Sequence, residues 1–241
     1  MRRPFCRVGS KAPIAKAIVK LIPDHKTYVE PFVGGGAVFW EKEPSEHEVI
    51  NDLDSRLISA WRLLKRVKGR NFKNLEGEEA IKRFYKSVPH TDEDKLAYEI
   101  IHHCGGFGSI PVKNGKIYKF SNPLSKLKHI EEYQERLKHV KILNQSYESV
   151  VKKYDSPSTF FYLDPPYENS DRLYKNDAVD YDKMADLLSK LKGKFLLSIN
   201  DSAHIRQVFS QFHIKKIRVS GGSNGNSDIG KRDRGEILVS N

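Results

Sequence analysis

Asp164, Pro165, Pro166 and Tyr167 stand directly behind the apolar run Phe160-Phe161-Tyr162-Leu163. The run reads as a buried strand, and the two prolines stop it. A short carboxylate therefore sits at the carboxyl end of a core strand, followed by a rigid turn and an aromatic ring. In open α/β sheets, ligands bind at that edge. A fixed Asp-Pro-Pro-Tyr string arises by chance in roughly one chain of this length per thousand. It would equally serve as a plain Pro-rich turn, so the rest of the chain has to decide.

Two further groups could hold a ligand. Glu30-Pro31-Phe32-Val33-Gly34-Gly35-Gly36 reads as a strand entering a glycine-rich turn, where the backbone can approach a ligand and take positive φ, and Ala37-Val38-Phe39-Trp40 as the start of a helix. The run lacks the Gly-x-Gly-x-x-Gly dinucleotide spacing, which disfavours a nicotinamide oxidoreductase. Glu48-Val49-Ile50-Asn51-Asp52 reads as a second strand ending in an acid, a position that commonly takes ribose hydroxyls. Asp52 would also suit a helix cap. Gly9-Ser10-Lys11 precedes a helical pattern (Ile14, Ile18, Leu21, Ile22), and a lysine at a helix amino terminus can hold a carboxylate.

These groups need a scaffold, and the surrounding elements supply one. Strands and helices alternate up to about residue 60. From Trp61 to about Arg136 the alternation lapses, and Arg62, Lys65, Arg66, Lys68, Arg70 and Lys73 form a run with no acid among them. Such a run is a solvated helix face or a phosphate contact. Asn114-Gly115 between short Val/Ile/Tyr-bearing runs predicts a two-residue hairpin, with Lys113, Lys116, Tyr118 and Lys119 on its rim. A basic ribbon of this kind can enter a DNA major groove or simply aid solubility. His102 and His103 lack further ligand spacing and read as structural. Alternation then resumes: a strand ending near Ser146-Tyr147, the Phe160 strand, a helix over 182–192, a strand over 195–200, and a closing antiparallel pair. Between the last two strands lies a Gly/Ser/Asn loop followed by Lys231, Arg232 and Arg234.

Composition narrows the class. A formal net charge of +11 favours a polyanionic partner. The 2 cysteines, Cys6 and Cys104, form no disulfide framework and no zinc spacing, as suits a reducing cytosol. No secretory h-region and no run approaching a membrane span is present, so the expectation is a cytoplasmic protein without membrane or metal.

In this order, the motifs resemble those of the Dam-type (D12 class) DNA adenine-N6 methyltransferases over most of the chain. The resemblance implies a class I S-adenosylmethionine-dependent fold: a Rossmann-like doubly wound mixed α/β sheet with an antiparallel last strand. It implies a catalytic core at 1–58 and 137–241, interrupted at 59–136 by a mainly helical and β-hairpin target-recognition subdomain. Asp164, Pro165, Pro166 and Tyr167 match the catalytic motif. Arg7, Lys11, Glu30, Pro31, Phe32, Val33, Gly34, Gly36, Asp52, Ser146, Tyr147 and Asp164 match the cofactor side, with S-adenosylmethionine as cofactor. Lys113, Asn114, Lys116, Tyr118, Lys119, Lys231 and Arg232 would meet double-stranded DNA. Arg7 stands where many relatives carry an aromatic residue near the cofactor adenine.

The implied chemistry suits the residue types. The Asp164 carboxylate and the Pro165 carbonyl can accept both hydrogens of an adenine amine, turning its lone pair toward the methyl group. Tyr167 would stack on an extruded base. A cytosine-N4, RNA or protein amine methyltransferase, or a catalytically dead nucleic-acid-binding protein, is the alternative. The implied setting is a monomer in a cell or phage-infected host interior, with a cognate restriction endonuclease as a second partner.

Overall fold

A strand as apolar as Phe160–Leu163 on both faces has to lie inside a sheet that is covered on both sides. The computed structural model, which describes residues 3–7, 9–68, 78–106, 112, 123–168, 179–217 and 235–241, places it there. The run is β4 (Thr159–Leu163), buried along its whole length. It lies between β1 (Thr27–Glu30) and β5 (Lys194–Asn200). With β2 (His47–Asn51), β3 (Lys141–Leu143), β6 (His213–Ile217) and β7 (Glu236–Ser240) the sheet has the order β3-β2-β1-β4-β5-β7-β6. The first five strands run parallel, and β7 runs antiparallel to β5 and β6. This is the expected doubly wound mixed sheet with an antiparallel last strand. The direction of winding reverses between β1 and β4, whose carboxyl ends therefore border the ligand crevice of such a sheet.

Register decides which side chains meet. Tyr28 pairs with Phe160, Tyr162 with Leu196 and Ser198 with Leu238. By strand alternation Glu30, Glu48, Tyr162, Asp164, Ser198 and Glu236 share one face. On the other face Val29, Val49, Phe161, Leu163, Leu197, Ile199 and Val239 pack into one apolar cluster. That cluster is closed by α6 (Tyr147–Tyr154), α7 (Tyr181–Ser189) and α8 (Ala203–Val208). The polar-bearing face is covered by α1 (Ala15–Val19) and α2 (Ser55–Arg66), then by α3 (Glu78–Lys86), α4 (Asp92–Cys104), a 3₁₀ helix at Pro123–His129 and α5 (Ile130–Leu137). The last four elements fill the stretch where alternation lapses. The hairpin expected around Asn114-Gly115 lies outside the described residues.

Three local expectations change. Regular helix after Lys11 stops at Val19 and gives way to single turns at Leu21 and Ile22, because Pro23 disfavours helical backbone at the residue before it. Leu21 is consequently 43% exposed instead of core. The segment behind the glycine turn is wound by isolated turns and forms no α-helix, and Val38, Phe39 and Trp40 are all buried. The basic face of α2 has a third use: Arg62 donates to the Ile142 carbonyl at 3.2 Å and Lys65 to the Val140 carbonyl at 2.8 Å. These cations dock the incoming β3 segment onto the core. His102 and His103 are structural, as expected. Tyr85 bonds His102 at 2.7 Å, and burial drops the two pKa values to about 4 and about 3.

Gly36 joins the crevice to the core. Its φ is +67°, and a Cβ there would lie 2.9 Å from the Trp61 ring and 3.1 Å from Trp40. Those indoles stack at 5.3 Å and 8°. Glycine is therefore required by the protein's own packing. Gly36→Ala is expected to destabilise the fold by about 2–4 kcal/mol, from left-handed backbone plus displaced rings. Denaturant unfolding measures this, and a loss below about 1 kcal/mol would contradict it.

Candidate active site

The crevice divides into two halves, each tied by one asparagine at a strand end. Asn51 closes β2 and gathers the first three loops. Its amide donates to the Pro31 and Gln145 carbonyls, each at 2.9 Å, and its oxygen accepts the Gln145 N–H at 2.9 Å. Asn200 closes β5 and accepts the Glu168 N–H at 3.2 Å, which pins the turn behind Tyr167. Neither role is visible in the sequence beyond the presence of a short amide at a strand end.

In the first half, Asp52 lies beside the glycine turn. Its Oδ2 accepts the Gly34 N–H at 2.9 Å and its Oδ1 the Asp54 N–H at 3.0 Å. Each oxygen retains a lone pair. The cap of α2 is Asp54, which accepts the Leu57 N–H at 3.0 Å, so Asp52 is not used as a cap. Burial raises the Asp52 pKa, against the pull of Arg7 and the two backbone donors. Gly34 has φ +48°, and a Cβ there would meet only Arg7 Cγ at 3.9 Å, so open space lies over this backbone. Arg7 itself reaches Asp54 at 3.0 Å. Phe32 packs on Tyr147 with centroids 5.2 Å apart. Ser146 is spent as the cap of α6, accepting from the Ser149 N–H at 3.3 Å.

Glu30 lies differently from its neighbours in the motif. Its side chain turns into the sheet face, 2% exposed, and accepts the Tyr28 hydroxyl at 2.7 Å. Burial pushes its pKa up to about 8, with repulsion from Asp164 adding to the rise and the Tyr28 bond opposing it. It is thus protonated at neutral pH.

The second half is built on Asp164. Its Oδ1 accepts the Lys11 ammonium at 2.6 Å and the Ser198 hydroxyl at 3.4 Å. Ser198 also bonds Tyr162 at 2.9 Å. The Pro166 carbonyl accepts the Tyr181 hydroxyl at 2.6 Å. Among the described residues no donor reaches Asp164 Oδ2 or the Pro165 carbonyl. Two acceptors are therefore left open in adjacent residues of a pinned turn. Burial raises the Asp164 pKa and the Lys11 ammonium counters it.

Lys11 does not occupy the helix-terminus anion site that its sequence position suggests. Regular helix begins four residues later, and the lysine is 3% exposed beneath Asp164. Its ammonium lies 3.3 Å from Glu236 and 4.6 Å from the Tyr167 ring centroid. Burial disfavours its charge, yet Asp164, Tyr167 and Glu236 together raise its pKa above the ordinary lysine value. Glu236 went unnoticed in the sequence; its signal is a charged residue opening an otherwise apolar strand. All seven expected DNA-contact residues (Lys113, Asn114, Lys116, Tyr118, Lys119, Lys231, Arg232) lie outside the described residues. No group of three or more metal-ligating side chains occurs among the described residues.

Comparison with known proteins follows the same residues. The family model described as D12 class N6 adenine-specific DNA methyltransferase matches residues 8–100 and 111–220. A Type II methyltransferase of Lactococcus lactis subsp. cremoris is 27% identical over 99% of this chain and 95% of its own length. A Type II methyltransferase of Paramecium bursaria Chlorella virus NC1A is 25% identical, covering 85% of each chain. The DNA adenine methylase of Salmonella typhimurium is 23% identical over 90% of this chain and 88% of its own.

The Glu30 environment yields a pH signature. Unfolded, this carboxyl titrates near 4.5; folded, near 8. Between those values the folded state keeps a proton that the unfolded state has released, so stability falls as pH rises from about 5 through 8. Glu30→Gln removes the effect. Wild type is expected to lose stability relative to the variant by up to roughly 1.4 kcal/mol per pH unit across that window. Parallel stability–pH curves for the two proteins would contradict the assignment.

Proposed function

We propose that this chain, which belongs to the D12 class N6 adenine-specific DNA methyltransferase family, uses Asp164 and Pro165 to hold the N6 amine of a flipped adenine for methylation by S-adenosylmethionine. The observation that carries this reading is the pair of open acceptors, Asp164 Oδ2 and the Pro165 carbonyl. They match the two hydrogens of a planar amine in number and type.

The first half of the crevice fits the cofactor. Asp52 keeps lone pairs for a ribose diol, and the space over Gly34 admits a ligand against backbone. In this reading Phe32, Tyr147, Pro31, Val33, Arg7 and Gly36 line or support that side, while Ser146 positions Tyr147 as a helix cap. Glu30, neutral at pH 7, supports the pocket from within the sheet. When bound, S-adenosylmethionine supplies an electrophilic methyl on a sulfonium.

The chain's own residues supply the rest. Asp164 and Pro165 accept hydrogen bonds from the two amine N–H groups, which withdraws the nitrogen lone pair from the ring and aims it. As positive charge grows on nitrogen, the carboxylate stabilises it. Proline at 165 offers a carbonyl on a stiff backbone, and Tyr181 fixes the next carbonyl, so the acceptor keeps its direction. Tyr167, over Lys11, stacks on the extruded base. Lys113, Asn114, Lys116, Tyr118, Lys119, Lys231 and Arg232 are the DNA-facing residues of this proposal, and 59–136 its target-recognition insertion between core segments 1–58 and 137–241. No helix of the described residues is long and apolar enough to cross a membrane. We read the chain as a monomer of the cell or phage-infected host interior. A restriction endonuclease of the same site is the partner that its type II relatives' names suggest.

Asp164→Ala is expected to lower single-turnover methylation by at least about 10³-fold, with DNA affinity changed by less than about threefold. A rate within tenfold of wild type would remove Asp164 from the amine.

A further inference from the structure

Lys11 is shared between two carboxylates that enter the site from different strands. Asp164 stands just past β4, with its Oδ1 at 2.6 Å from the ammonium. Glu236 opens β7, two strands away, with its Oε1 at 3.3 Å from the same nitrogen. Lys11 and Glu236 are sequestered, with side chains 4% and 8% exposed, while Asp164 is open to the crevice at 22%. Glu236 Oε1 accepts no hydrogen bond among the described residues, so its contact with Lys11 is electrostatic. The other groups facing the ammonium are the Gly9 carbonyl on its own segment, at 3.2 Å, and the Tyr167 ring. Glu30, on β1, faces Asp164 as a neutral acid at pH 7.

The sum of these charges matters for the reaction. A lysine paired with Asp164 alone makes a neutral pair, and a neutral pair stabilises a growing cation poorly. With Glu236 included, one ammonium and two carboxylates leave the cluster with one net negative charge. We propose that Glu236 is a positioning residue for methyl transfer: it shares the Lys11 ammonium, so that less of the negative charge that Asp164 presents to the adenine amine is cancelled. A unit charge roughly 8 Å from a developing charge, at an effective dielectric near 20, is worth about 30-fold in rate. This inference rests on the reading of Asp164 as the amine acceptor.

The test uses the full chain carrying Glu236→Gln or Glu236→Asp. Single-turnover methylation is measured beside binding of two cofactor analogues, neutral S-adenosylhomocysteine and sinefungin, whose ammonium stands near the methyl position. Glu236→Gln is expected to slow methylation by about 10–100-fold and to weaken sinefungin by about 5–30-fold. Affinity for S-adenosylhomocysteine and DNA should stay within about twofold, as should all values for Glu236→Asp within about fivefold. A Glu236→Gln protein with wild-type rate, or with its preference for sinefungin intact, would overturn the proposal. If Glu236→Gln does not fold, a folded Glu236→Asp protein that has lost the sinefungin preference would overturn it equally. Failure of the underlying reading looks different: wild type itself would methylate no adenine.

Discussion

The burial of one ammonium governs this molecule's chemistry. Lys11 is 3% exposed, and a charge so placed is tolerated only with anionic partners close at hand. It finds them in Asp164 and Glu236, which are far apart in sequence and are brought together only by the order of the strands. Placing β7 beside β5 sets Glu236 opposite Asn200, at the edge where Asp164 emerges. The antiparallel last strand is thus part of the site as well as of the fold. Lys11 in turn fixes one oxygen of Asp164 and leaves the other open.

The two sheet faces divide the labour. One carries an apolar cluster that runs from β2 to β7 and supplies cohesion through α6, α7 and α8. The other carries Glu30, Glu48, Tyr162, Asp164, Ser198 and Glu236 among hydrophobic neighbours, each with a partner or a raised pKa to meet the cost of burial. Glu48 is held by Lys42 at 2.6 Å and by Arg136, Glu30 by its proton, and Asp164 by Lys11. The polar line ends at the crevice, where the parallel strands leave their loops. Asn51 and Asn200 then set those loops in position, so the site is built on strand ends, the stiffest supports that the sheet offers.

Much of this was legible in the sequence. Alternating apolar runs and caps gave the order of the elements, and Asp-Pro-Pro-Tyr and Asp52 fell at strand ends as their flanking residues predict. What escaped was whatever depends on neighbours remote in the chain. Lys11 reads as a helix-terminus anion site until Asp164, 153 positions away, takes it. Ser146 reads as a ligand residue until its hydroxyl is seen capping α6. Gly36 reads as a concession to a ligand, whereas Trp61 and Trp40 already demand it. Glu236 carries no local signal beyond its charge. Periodicity reports which face a residue occupies, but pairing across a sheet is set by register, and register is not written locally.

We have proposed that the open acceptors beside Lys11 receive an adenine amine. The most direct test incubates the protein with plasmid DNA and S-adenosylmethionine carrying an isotopically labelled methyl group, then digests the DNA to nucleosides and locates the label. Label is expected in N6-methyladenine alone, and none when Asp164 is alanine. Label in N4-methylcytosine, or no label from a protein that binds both cofactor and DNA, would contradict it.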